Sequence, residues 1–113
     1  TALTPETAGM LGRKELALMK DGAILINTAR GALVDETALI DEIKSGRLRA
    51  GLDVYTEEPL PLDSELRELP GCVLLPHVGS ATERTRRAMF ELALGNLFAG
   101  LQGRDLPARL GTA

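Results

Sequence analysis

Three short aliphatic runs set the limits on what this chain can fold into: residues 23–27 read AILIN, residues 50–54 AGLDV and residues 73–76 VLLP. Each is nearly continuous in apolar character rather than alternating. Such runs fit strands covered on both faces, as in a parallel sheet. Segments with helical spacing separate them. Residues 12–20 carry Leu16 and Met19 on one side and run toward Gly22. Asp35 can cap a helix whose stripe is Leu39, Ile40 and Ile43, with Gly46 able to end it. Pro59 and Pro61 precede a short helix near 64–69. Ser80-Ala81-Thr82-Glu83 has capping-box spacing ahead of a long helix, which offers Met89, Phe90, Ala93, Leu94, Leu97 and Phe98 for burial. From Gly103 onward the tail reads as a loop. Strands alternating with helices imply parallel pairing through right-handed crossovers. The expected fold is α/β, half of a doubly wound parallel sheet.

Composition narrows the function. Aromatic residues make up 3% of 113, so the core must be aliphatic. A net charge of −3 argues against nucleic acid as a partner, because neutralising phosphates takes clustered Lys and Arg. The one basic run, Arg84-Thr85-Arg86-Arg87, is flanked by Glu83 and Glu91 and reads as a solvated helix face. A single cysteine, Cys72, rules out an internal disulfide and a cysteine-based metal site, and its place at the head of an apolar run suits a structural role. No run approaches the roughly 18 apolar residues of a membrane helix, and no signal peptide is visible, so the expected compartment is the cytoplasm. The opening Thr1-Ala2-Leu3-Thr4-Pro5 lacks Met and starts mid-pattern, as in a fragment or a processed product.

In an open parallel sheet, ligands bind beyond the carboxyl ends of the strands. The first run exits into Asn27-Thr28-Ala29-Arg30-Gly31, the second at Asp53 with Glu57-Glu58-Pro59 beyond it, and the third into His77-Val78-Gly79-Ser80. If the strands are parallel, Arg30, Asp53 and His77 share a rim. Alone, each has an ordinary reading: Arg30 as a surface cation, Asp53 as a turn cap, Glu58 as a solvated carboxylate, His77 as a satisfied structural histidine. Together they offer more. A carboxylate beside an imidazole raises its affinity for a proton and fixes its tautomer, and a guanidinium can grip a substrate carboxylate with two parallel hydrogen bonds.

At these residues the sequence resembles the D-isomer-specific 2-hydroxyacid dehydrogenases. Ile26-Asn27-Thr28-Ala29-Arg30-Gly31 with Val34-Asp35 is similar to their arginine motif, Gly51 to Pro59 to their aspartate–glutamate motif, and Pro76-His77-Val78-Gly79-Ser80-Ala81-Thr82 to their histidine motif. Order and spacing agree too, and Leu3-Thr4-Pro5-Glu6-Thr7 resembles a segment after an earlier strand of the cofactor domain. Glu58-Pro59-Leu60-Pro61 and the stretch from Asn96-Leu97 to Gly103 draw the resemblance toward glyoxylate/hydroxypyruvate reductases, although 2-ketogluconate reductases and phosphoglycerate dehydrogenases share much of it.

The resemblance implies a partial Rossmann-like sheet, the C-terminal part of an NAD(P)-binding domain over residues 1–113. The tail from about 103 would belong to the substrate domain, and the N-terminal part of the enzyme would be absent. It implies NAD or NADP as cofactor and a small 2-keto or 2-hydroxy acid as substrate. Arg30, Glu58 and His77 would be the catalytic set. Thr7, Thr28, Ala29, Arg30, Asp53, His77 and Gly79 would line the cofactor's pocket, and the parent enzyme would be a homodimer. The glycine-rich phosphate loop is not in these residues, so the segment by itself is expected to be inactive. Two other readings stay open: a non-catalytic NAD(P)-sensing protein of the corepressor kind on the same scaffold, and a truncated interaction module that dimerises through an open sheet edge.

Overall fold

The structure, a computed structural model, describes residues 1–109. The chain falls into two compact units, Thr1–Val78 and Gly79–Ala113.

The first unit is built on a parallel sheet of β1 (Ile24–Asn27), β2 (Arg49–Leu52) and β3 (Cys72–Leu74) in that spatial order. Leu25 pairs with Ala50 and Ala50 with Cys72; two residues further along, Asn27, Leu52 and Leu74 are in register. Residues paired this way in a parallel sheet point to the same face. Leu25, Ala50 and Leu52 pack with Leu16 of α1 (Arg13–Ala17) and Leu39 of α2 (Glu36–Lys44) in one aliphatic core. Burying a leucine of this kind contributes about 2 kcal/mol. Asp35 caps α2 as expected, its Oδ1 accepting the Ala38 amide at 3.0 Å. Gly46, at φ +76°, follows the end of α2 in the left-handed region that glycine reaches without strain. Arg47 joins the two helices. Its guanidinium donates to the Leu16 and Met19 carbonyls at the end of α1 and to Glu42 of α2 at 2.6 Å each. That contact holds the Glu42 carboxyl below the usual carboxylate range.

Several elements differ from the sequence expectation. The segment expected to be helical over 12–20 is helical only over Arg13–Ala17, and the short helix near 64–69 is a 3-10 turn at Glu65–Glu68. The strands are not covered on both faces. Ile24 is 54% exposed, Ile26 73% and Val73 65%, all on the face opposite the core. The aliphatic runs are continuous because both faces are apolar, but within the described residues only one face is packed. Cys72 is half-buried and has no disulfide, and burial pushes its thiol up, which suits the structural role.

The second unit holds α3 (Glu83–Leu101). Its cap is Thr82, whose Oγ1 accepts the Thr85 amide at 3.2 Å; the expected box beginning at Ser80 does not form. The tail folds back on the helix, with Asn96 Oδ1 accepting the Ala108 amide at 2.9 Å. The apolar residues expected to be buried are largely exposed, Met89 and Phe90 among them, because a unit this short cannot enclose a core of its own. Arg87 pairs with Glu91 one turn along the exposed face. No helix among the described residues is long and apolar enough to cross a membrane.

The core makes one prediction. Leu39→Ala should destabilise the first unit by about 2–5 kcal/mol, the cost of a large-to-small change in a filled core. Urea unfolding followed by circular dichroism checks it; a loss below about 1 kcal/mol would mean that α2 is not anchored through this residue.

Candidate active site

The carboxyl ends of all three strands lie at one edge of the sheet, and each exit is shaped by a short-range device. At the end of β1, Asn27 is buried. Its Oδ1 accepts the Ala29 amide at 3.1 Å and its Nδ2 donates to the Arg30 carbonyl at 2.9 Å. The side chain thus closes residues 27–30 into a tight loop, as asparagine does in turns, and turns Arg30 outward. One guanidinium nitrogen of Arg30 donates to the Ala29 carbonyl at 2.6 Å. Gly31 comes next, and its role is steric. A Cβ there would stand 1.9 Å from the Tyr55 carbonyl carbon and 2.1 Å from its oxygen. Backbone meets backbone at this point, and the contact brings Arg30 beside the segment that leaves β2.

That segment carries Asp53, Tyr55 and Glu58. The Tyr55 amide donates to Glu58 Oε1 at 3.0 Å, which leaves Oε2 for His77 Nδ1 at 2.7 Å. The hydrogen bond with His77, and after it the one from the Tyr55 amide, hold the Glu58 carboxyl below the usual carboxylate range, with the charge of Arg30 acting in the same direction. An ionised carboxylate only accepts, so Nδ1 carries the proton in this pair and Nε2 is the ring atom left for a ligand. The Glu58–Pro59 peptide is cis.

The third exit is tied to the second. The Leu75 amide donates to the Leu52 carbonyl at 2.8 Å, and the Tyr55 hydroxyl donates to the Leu75 carbonyl at 2.7 Å. Burial pushes the Tyr55 phenol up, which keeps it a donor. His77 then turns with φ +54°, the only positive φ of a non-glycine residue among those described, and the Val78 amide donates to Asp53 Oδ1 at 2.8 Å.

Arg30, Glu58 and His77 line one open cleft of about 360 Å³, together with Leu3, Gly31, Ala32, Tyr55 and Thr56. A space of that size suits a small ligand. Glu58, His77 and Tyr55 also border a larger, mostly apolar cleft of about 610 Å³ that reaches Pro59, Leu60 and Arg67. The Arg67 guanidinium there is engaged, donating to the Leu60 and Pro61 carbonyls. The other expected site residues stand elsewhere. Thr28 is exposed and Ala29 half-buried at the end of β1, outside the walls of both clefts. Thr7 uses its hydroxyl locally, donating to the Ala2 carbonyl and accepting the Thr4 amide, both at 2.8 Å. Asp53 is buried beneath the His77 turn, and Gly79 opens the second unit. Among the described residues no group of three His, Cys, Asp or Glu side chains could hold a metal.

Sequence reasoning gave no role to Asn27, Gly31 or Tyr55. An asparagine at a strand end two residues before a small residue is a readable turn signal. The Gly31 contact is between segments distant in sequence and leaves no local trace.

Two predictions come from this geometry. Gly31→Ala should destabilise the first unit by about 1–3 kcal/mol, as overpacking does, and should shift the amide resonances of Tyr55 and Thr56. An unchanged urea midpoint would show that the two backbones do not touch. The second concerns acid. The folded value of Glu58 lies below its unfolded value, so its contribution to stability is complete at neutral pH and is lost as pH falls through the folded value. A pH series of carbon NMR spectra should put the Glu58 carboxyl midpoint below the ordinary glutamate range. Glu58→Gln should remove that part of the acid dependence, and a midpoint in the ordinary range would exclude the bond to His77 in solution.

Comparison with known proteins bears on this arrangement. The family model described as D-isomer specific 2-hydroxyacid dehydrogenase, NAD binding domain, matches residues 1–79. The chain is 53% identical over 103 residues to a glyoxylate/hydroxypyruvate reductase B of Pectobacterium atrosepticum, which covers 90% of this chain and 32% of that protein. The TT0316 protein of Thermus thermophilus is 52% identical and superposes with a TM-score of 0.91, covering 98% of this chain and 36% of the other. A D-isomer specific 2-hydroxyacid dehydrogenase of Xanthobacter autotrophicus Py2, solved in complex with NADPH and MES, is 35% identical with a TM-score of 0.78, covering 98% and 46%. The chain therefore spans about a third of the length of the curated relatives it matches.

Proposed function

The chain belongs to the D-isomer specific 2-hydroxyacid dehydrogenase family, and from that membership we propose that it is the C-terminal catalytic segment of an enzyme that reduces a short 2-keto acid to the D-2-hydroxy acid with NADH or NADPH. The observation that carries the reading is the shared cleft: a guanidinium, an imidazole and the carboxylate that orients it line one space at the carboxyl edge of a parallel sheet. Glyoxylate and hydroxypyruvate are the substrates put forward, on the strength of the reductases that are identical to the chain at just over half of the aligned positions. Residues 1–113 form the later part of the NAD(P)-binding domain in this reading, with the tail from about 103 passing to the substrate domain, and the enzyme works in the cytoplasm.

The proposed place of the nicotinamide is the rim beyond β1, where Thr28 is exposed and Ala29 is small and half-buried next to Arg30. Thr7, Asp53, His77 and Gly79 complete the proposed surroundings. The bound cofactor supplies the hydride that the keto carbon receives. The protein's own groups do the rest. Arg30 binds the substrate carboxylate through paired N–H donors and polarises the carbonyl. His77 gives the Nε2 proton to the carbonyl oxygen as charge builds on it, so that the product leaves as the hydroxy acid. Glu58 keeps the imidazole oriented through its hydrogen bond with Nδ1.

Steady-state kinetics of the complete enzyme with hydroxypyruvate would test this. His77→Ala should abolish turnover while cofactor affinity stays within about twofold of the unmodified value, since the general acid acts on the substrate oxygen. Arg30→Lys should lower kcat/KM by about 10²-fold, as a point charge replaces a planar fork. Near-normal turnover in His77→Ala would remove it from the mechanism.

A further inference from the structure

The proposed chemistry leaves one buried charged side chain without a task of its own in proton transfer. Asp53, just past the end of β2, is 2% exposed. A carboxylate taken out of water is costly unless it accepts hydrogen bonds, and the Val78 amide donates to its Oδ1 at 2.8 Å. That amide belongs to the peptide immediately after His77, which stands at φ +54°. A left-handed conformation is uncommon and strained for a non-glycine residue and persists only where the surroundings impose it. The chain before His77 is held as well, by the Leu75 amide on the Leu52 carbonyl and by the Tyr55 hydroxyl on the Leu75 carbonyl. Residues 52–55 thus fix the backbone on both sides of the histidine. The same segment presents the Tyr55 amide to Glu58. A shift of the His77 turn away from Asp53 would move Nδ1 away from a carboxylate oxygen whose own position is fixed separately.

We propose that Asp53 is a positioning residue: its buried carboxylate, through the Val78 amide, holds the strained turn that presents His77 to Glu58. This goes beyond a place beside the cofactor, because the role is exerted with or without one. It rests on the proposed function only for its kinetic readout. Aspartate serves where an apolar residue would not, since the turn offers an amide that needs an acceptor. Asparagine keeps an oxygen at the same reach.

The chain has one histidine, so its ring signals in a long-range proton–nitrogen NMR spectrum are unambiguous. In the unmodified chain the Nδ1–H signal should appear at low field, and the Val78 amide should exchange at least about tenfold more slowly than an open amide despite its exposed position. Asp53→Ala should lose the Nδ1–H signal and speed Val78 exchange about tenfold or more, and Asp53→Asn should restore both. In the complete enzyme, Asp53→Ala should lower kcat by about 10²-fold, the scale of a misplaced catalytic group, whatever it does to the cofactor KM. Retention of the Nδ1–H signal in Asp53→Ala overturns the proposal. So does an unchanged kcat with a raised cofactor KM, which would assign Asp53 to the cofactor alone. Should Asp53→Ala fail to fold, the Val78 exchange rate of the unmodified chain decides, and open-amide exchange there overturns it. An inactive unmodified enzyme would sink the reductase reading and leave the spectroscopic test standing.

Discussion

The hydrogen bond between Glu58 and His77 is the interaction on which the site depends, and neither residue is placed by its own strand alone. Glu58 lies in the excursion beyond β2 and is set by the Tyr55 amide; His77 lies beyond β3 and is set by Asp53 and Tyr55. Segment 52–55 therefore acts as a common jig for both partners. Arg30 is brought to the same jig from β1 by the glycine beside it, since only a residue without a Cβ lets the chain press against the Tyr55 carbonyl. Three elements that are distant in sequence are thereby referenced to one short piece of backbone. Tolerances at such a site are small, because a displacement of about 1 Å already costs catalysis heavily.

Tyr55 shows how packing and chemistry share one residue. Among the described residues its ring is the one aromatic side chain in the buried core of the first unit, while its hydroxyl and amide each serve the site. A buried phenol needs a partner, and the Leu75 carbonyl, just past the end of β3, provides it. The requirement that the core be dry and its polar atoms satisfied thus couples the fold to the histidine turn.

Much of this was legible in the sequence. The strands, their parallel sense and the rim that they share follow from the aliphatic runs and the helical spacing between them, and Asp35 was readable as a cap because its chemistry is local. The misreadings have a common physical origin. The runs 23–27 and 73–76 promise strands covered on both faces, and α3 promises a buried stripe, but Ile26, Val73 and Phe90 are exposed. Sequence pattern reports which faces are apolar; it does not report whether the segments that cover them lie within the same 113 residues. Gly31 and the φ of His77 were invisible for a different reason. Both are set by contacts across the sheet edge, and nothing in the neighbouring residues encodes them.

The open sheet face and the chemistry at the rim belong together. A parallel three-stranded sheet with one face covered has apolar area to spare, and a chain that spans about a third of its relatives' length leaves ample sequence elsewhere in those proteins to cover such a face. The grouping of Arg30, Glu58 and His77 does not wait for that covering. Glu58 is bonded to the Tyr55 amide and to His77, and Asp53 to the Val78 amide, within residues 53–78; the Leu75 amide adds a tie to Leu52, and the Gly31 contact is made with Tyr55 and Thr56. Placing these side chains therefore separates from covering the sheet. What lies against the open face can change without disturbing the short-range contacts that keep the imidazole on its carboxylate.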